Sequence, residues 1–207
     1  ACSLTLVHQK HVYCVTRAPH APYNTFISGD GDDKCYIWAI RPRAQEEEKG
    51  EHFPGAEKSN SKYECCKIGE LPGHTETVEF IKFNHDGKLC LTGGMNNTLR
   101  VWSVDERKDP LTEPLKMSLK CELKNGPGEG DDILCVDWHP KGNAVLCGGK
   151  DYSLYLLNGA TGDFLACLGG HEDEVLQGTF TPNGKLVVSS SADKTIRVWS
   201  PIKSECL

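Results

Sequence analysis

No apolar run in the 207-residue chain approaches the 18 or more residues that a membrane-spanning helix needs. The opening residues, ACSLTLVHQKHV, show neither the basic nor the apolar region of a signal peptide, so the expected location is cytoplasmic, or also nuclear. The 11 cysteines are an odd number and include no C-x-x-C pair, which speaks against a disulfide framework and against a zinc site. Cys14, Cys90, Cys135 and Cys147 fall instead at apolar strand positions, where a thiol behaves as a small, reduced hydrophobe. A basic excess is missing too: the formal charge is −6, which argues against direct nucleic-acid binding. The Gly-rich stretch from Asn125 to Asp132 lacks the Lys-Ser/Thr ending of a phosphate loop, and no helical pattern follows it. Asp30-Gly31-Asp32-Asp33 begins like a calcium loop, but its twelfth position is Arg41, where a bidentate Glu is required. His8 and His11 have no neighbouring ligands to complete a tetrahedral metal set. Both stretches are turns or loops on this reading, and no metal or cofactor is implied.

What the chain does contain is short alternating apolar runs between turn residues. In HEDEVLQGTFTPNGKLVVSSSADKTIRVW (171–199) three runs stand out: Val175 to Phe180, Lys185 to Ser189 and Thr195 to Trp199. Thr181-Pro182-Asn183-Gly184 and Ser191-Ala192-Asp193-Lys194 supply the turn chemistry between them. A meander this small cannot bury both of its faces alone. The same frame occurs four times, with first anchors at Val12, Val78, Ile133 and Val175 and closing residues at Trp38, Trp102, Leu157 and Trp199. Anchor and closing residue are 26, 24, 24 and 24 residues apart, whereas successive anchors are 66, 55 and 42 apart. The fixed length lies inside the unit, and the variation lies in the connections.

A period near 42 closed by Thr-Ile-Arg-Val-Trp resembles a WD repeat, each copy of which is a four-stranded propeller blade. The expected fold is therefore all-β: a WD40 β-propeller with four four-stranded blades over residues 1–207, part of a larger propeller or a half-propeller that dimerises. The blade units run at about 9–40, 75–104, 130–159 and 172–201. Strands are expected at 2–8, 12–17, 25–29, 34–40, 62–69, 116–123 and 163–168. The polar segment 41–61, with its Glu46-Glu47-Glu48 run, is expected to be a mobile loop between blades. Aligned on the closing residue, Leu207 falls where Leu165 lies inside a strand, so the chain is expected to be a cut piece or to pair its edge elsewhere. Residues 2–7 could close onto the fourth blade as a four-bladed ring, or two chains could pair as half-propellers.

Three repeats share a polar quartet: His8, Ser28, Asp32 and Trp38; His74, Thr92, Asn96 and Trp102; His171, Ser189, Asp193 and Trp199. A Ser/His/Asp set suggests a hydrolase, but three copies on three blades cannot all line one cleft. The resemblance implies instead that each quartet is a buried hydrogen-bond chain, with His and Trp donating and Asp accepting. The third repeat has Glu129, Cys147, Asp151 and Leu157 at these positions and is expected to be the least rigid. Trp138 aligns with Phe83 and Phe180, which makes it a core residue.

In WD propellers the partner-facing side chains flank each anchor or precede the turn Asp. Here that implies His11, Tyr13 and Gly31; Thr77, Glu79 and Met95; Asp132, Leu134 and Lys150; and Glu174, Leu176 and Ala192, with Asp131 and Asp173 alongside. Such an acidic face with apolar members suits a basic peptide. SGDGDDKCYIW (28–38), GHTETVEFIKFNHDGKLCLTGGMNNTLRVWSVD (73–105), CVDWHP (135–140) and FTPNGKLVVSSSADKTIRVW (180–199) resemble the N-terminal half of the angio-associated migratory cell protein family. That family includes a chaperone of a basic large-subunit ribosomal protein. The resemblance implies a non-catalytic protein-interaction scaffold, possessing no membrane or nucleic-acid partner, that serves as chaperone or assembly factor for a basic ribosomal protein. A general signalling or trafficking adaptor is the alternative within the class, and a propeller hydrolase the alternative outside it.

Overall fold

The structure, a computed structural model, describes residues 6–19, 24–42, 63–94, 98–105, 115–123 and 132–207. Among these residues the sixteen strands form four antiparallel sheets of four, each built from strands consecutive in the chain. The first sheet holds β1 (Val12–Arg17), β2 (Phe26–Asp30), β3 (Cys35–Pro42) and β4 (Tyr63–Leu71). The second holds β5 (Val78–Phe83), β6 (Leu89–Gly94), β7 (Leu99–Val104) and β8 (Met117–Leu123). β9 (Ile133–Trp138), β10 (Ala144–Gly149), β11 (Ser153–Asn158) and β12 (Phe164–Gly169) form the third. β13 (Val175–Phe180), β14 (Val187–Ser191), β15 (Ile196–Ser200) and β16 (Glu205–Cys206) form the fourth. These are four propeller blades, as the repeated frame requires.

The core lies at the seams between blades. Ile27, Ile37 and Leu71 of the first blade meet Val78, Ile81 and Trp102 of the second. Leu91, Leu99 and Val101 of the second meet Ile133, Val136 and Leu157 of the third. Leu146, Leu154 and Leu168 of the third meet Val175, Phe180 and Trp199 of the fourth. Each sheet alone has one unsatisfied apolar face, and stacking removes it from water at about 25 cal/mol per Å². Close approach is built into the sequence here: a Cβ at Gly29 would stand 2.8 Å from both Cys14 Sγ and Val78 Cγ1.

No buried cluster joins the fourth blade to the first among the described residues. Accordingly Val12, against which no described blade packs on that side, is 49% exposed, whereas the equivalent Val78 and Val175 are fully buried. Val15 on the first blade and Ile196 on the fourth are 66% and 73% exposed on the two outer faces.

Several strand limits differ from expectation, each for a local reason. β14 begins at Val187 rather than Lys185, because the turn captures the two preceding amides: Lys185 N donates to Asn183 Oδ1 and Leu186 N to Thr181 Oγ1. Thr195 is likewise drawn out of β15 by Asp193, which accepts its amide at 2.8 Å. β3 runs on to Pro42 and pairs there with Tyr63, so the expected loop loses its first two residues to the sheet. Residues 43–61 of that loop lie outside the described residues, as do 2–5 of the expected first strand. Residues 6–8 carry no strand pairing.

Candidate interaction surface

In the fourth blade, Ser189 Oγ lies 2.7 Å from Trp199 Nε1 and 2.7 Å from His171 Nε2, and His171 Nδ1 lies 2.7 Å from Asp193 Oδ2. The carboxylate selects the tautomer: with the proton on Nδ1 facing Asp193, Nε2 accepts from the Ser189 hydroxyl. That hydroxyl in turn accepts the indole N–H. Burial pushes the Asp193 carboxyl up, but hydrogen bonds from Thr195, His171 and the Glu172 amide outweigh it and hold the group well below the usual carboxylate range. The contacts are those of a nucleophilic triad, yet Ser189 is buried beneath Trp199. No substrate can approach its oxygen.

The second blade repeats the chain through Thr92 Oγ1, which is 2.7 Å from His74 Nε2 and 2.8 Å from Trp102 Nε1; Asn96 lies outside the described residues. In the first blade Ser28 Oγ meets Trp38 Nε1 at 2.7 Å and His8 Nε2 at 2.9 Å. Here one assignment changes. The carboxylate on His8 Nδ1 belongs to Asp30, at 2.9 Å, and not to Asp32. Asp30 occupies the position of Ser191 in the fourth blade. Its longer side chain reaches the imidazole and also takes the Asp32 and Lys34 amides, leaving Asp32 at the surface, 3.2 Å from Lys10 Nζ. Both nitrogens of His8 are thus committed. The third blade replaces the chain with fully buried Cys147 and Leu157, and Asp151 accepts from Tyr155 Oη at 2.5 Å. Glu129 is outside the described residues. Trp138 is buried, with its indole N–H donated to Lys82 O at 2.9 Å.

A different repeated device shapes the strand-start end. Register shifts occur between Val12 and Cys14, Val78 and Phe80, and Val175 and Gln177, and opposite Ile133 and Cys135. Tyr13, Glu79, Leu134 and Leu176 are the extra residues, and a bulge of this kind re-aims the side chain it carries. A backbone clasp then holds the turn after the second strand against the residue before the anchor. Gly31 N donates to His11 O, Lys150 N to Asp132 O and Ala192 N to Glu174 O, at 2.9–3.1 Å. Met95, at the equivalent sequence position of the second repeat, and Asp131 lie outside the described residues.

Bulge and clasp thereby gather His11, Tyr13, Thr77, Glu79, Asp132, Leu134, Lys150, Asp173, Glu174 and Leu176 at one end of the inner strands. Tyr13 and Leu176 are about half exposed, and His11 packs edge-on against Tyr13. Lys150 Nζ pairs with Asp132 at 2.6 Å, which reduces the acidity of the third blade's rim. The bulges were not apparent from residue types alone, although the constant anchor positions mark where they fall.

The blades and their repeated polar chains define the class as a WD-type propeller domain. Residues 1–39, 65–103, 120–158 and 162–200 match the family described as WD domain, G-beta repeat, and the chain belongs to that family. Among curated relatives it is 27% identical over 194 residues to human angio-associated migratory cell protein, covering 93% of this chain and 36% of that protein. It is 25% identical to Protein HIR1 of Yarrowia lipolytica, over 91% of this chain and 18% of that protein. The periodic tryptophan protein 2 homolog of Caenorhabditis elegans is 23% identical over 98% of this chain and 19% of its own length. The chain therefore spans about a third or less of these relatives. WD domains are in general non-catalytic scaffolds that mediate protein–protein interaction. No described helix is long and apolar enough to cross a membrane.

Proposed function

We propose that this chain is a recognition scaffold whose strand-start end receives a basic protein segment, and that it acts as a chaperone or assembly factor for a basic ribosomal protein. The observation that carries the reading is the convergence of Glu79 and Glu174, with Lys150-paired Asp132 between them, and of Tyr13, Leu134 and Leu176 at the bulged ends of the inner strands. Carboxylates there speed encounter with a cationic segment, and the apolar members retain it. The client class is what the resemblance to the angio-associated migratory cell protein family implies. The exposed outer faces around Val15 and Ile196 favour a second chain pairing as a half-propeller.

Capture of basic ribosomal proteins by the full chain and by an E79K/D132K/E174K variant tests this function. The variant is expected to lose them, and equal capture by both would overturn the assignment. Capture that survives charge reversal but is lost when Tyr13, Leu134 and Leu176 are changed to Ala would favour a general adaptor.

A further inference from the structure

The opposite ends of the same inner strands carry a second feature. β1, β5 and β9 are six residues long and lie side by side, so at about 3.3 Å per residue their last residues stand roughly 17 Å from the acidic end. An open cleft of about 520 Å³ lies there, lined by the ends of all three strands together with Pro19, Asn84, His85, His139 and Pro140. We infer that this cavity binds an acidic peptide segment carrying an apolar side chain, at a site distinct from the acidic face.

The charge balance favours an anion. Lys82 Nζ meets Asp137 Oδ1 at 3.1 Å, and the other carboxylate oxygen accepts Thr179 Oγ1 at 2.8 Å and the Phe180 amide at 3.3 Å. The only carboxylate among the lining residues is therefore already neutralised and held. Arg17 is exposed on the rim and has no carboxylate partner among the described residues, so its charge is available. His85 is an exposed neighbour on the same rim. His139 belongs to the wall: its ring meets Gly184 O and the Lys141 amide.

The cavity's size and lining favour a peptide over a lone ion. Its volume lies in the range of sites that enclose several side chains or a small molecule. Phe83, Trp138 and Pro140 give it an apolar wall, and the bond from the Trp138 indole to Lys82 O fixes that ring in place. A guanidinium fork matches a carboxylate, so an acidic residue at Arg17 would leave a neighbouring apolar side chain to enter the cleft beside half-buried Phe83 and Pro140, with buried Trp138 behind them. The two ends of the inner strands would then select partners of opposite charge.

The test titrates the full chain with a short Glu-rich peptide containing a single Phe, reading anisotropy of the labelled peptide and the indole N–H resonances of the ¹⁵N-labelled protein. Binding should shift the Trp138 indole signal and leave that of Trp199 in place. Arg17→Glu should weaken binding by about tenfold or more, the equivalent of losing a charge-assisted hydrogen bond. Arg17→Lys should retain part of the affinity, and E79K/D132K/E174K should bind the acidic peptide as well as the unaltered chain does, which separates this site from the acidic face. Arg17 is exposed, and circular dichroism of R17E checks that the fold is intact. Equal binding by R17E, an unmoved Trp138 signal, or displacement of the peptide by an equal concentration of inorganic phosphate would each overturn the inference.

Discussion

Replacing Ser189 by Ala removes one oxygen from the fourth blade and leaves two buried groups without their partner. Trp199 Nε1 and His171 Nε2 both lie 2.7 Å from that oxygen, and both residues are buried. Each stranded group costs about 1–3 kcal/mol, and because they share one partner the two effects are not fully additive, so the expected loss is about 3 kcal/mol. The space vacated is smaller than a water molecule needs, so solvent cannot take the oxygen's place. Against a total stability of about 5–15 kcal/mol the change is readily measured by urea unfolding, as a lower midpoint at unchanged slope. Trp199→Phe removes the indole donor, so S189A should be less damaging in that background than in the native one, by about 1 kcal/mol. A loss below about 0.5 kcal/mol for S189A, as at an ordinary surface position, or strict additivity with W199F, would refute the claim that the polar chain holds the blade together.

In the third blade the same hydroxyl should act in the opposite sense. Cys147→Ser places a polar group beside buried Leu157 with no Trp or His to receive it, and should destabilise by about 1–3 kcal/mol; an unaffected urea midpoint would contradict this. Amide exchange in β10 and β11 should be faster than in β14 and β15, because the third blade lacks the chain; equal protection would argue otherwise. His74 supplies a pH dependence. Burial first, then the Arg100 cation, lower its pKa to about 4, whereas the unfolded ring protonates near pH 6.5. The unfolded state thus binds the extra proton between these values, and stability falls as pH drops through the window, by roughly 3 kcal/mol in total from this group. His74→Gln should flatten that limb of the curve of urea midpoint against pH, and an unchanged limb would exclude His74 as its source. Light scattering should give a solution mass near twice 22.8 kDa if half-propellers pair, and the monomer mass would count against pairing.

The blades were legible in the sequence because their signals are local: alternation, Asn-Gly and Asp turns, and a constant distance from anchor to closing Trp. The Ser–His–Trp contacts follow from the same frame. Asp30 was not legible as the partner of His8, because Ser28-Gly-Asp30-Gly-Asp32 offers two carboxylates and only the turn geometry chooses between them. The bulges at Tyr13, Glu79, Leu134 and Leu176 depend on ladder register, which residue types do not encode. Arg17, Lys82 and His85 are unremarkable in sequence and acquire a shared role only when three blades bring them around one cavity.

The buried polar chains are expected to hold the architecture together, and the bulged acidic ends to recognise a partner. The affinity of a Lys/Arg-rich peptide for E79K/D132K/E174K and for S189A, each compared with the native chain at a temperature where all three are folded, separates the two roles. The charge-reversal variant should lose at least about tenfold in affinity, the loss shrinking as salt screens the surface, and S189A should bind as the native chain does. Loss of binding in S189A with affinity retained in the charge-reversal variant would place recognition at the polar chain and not at the acidic rim.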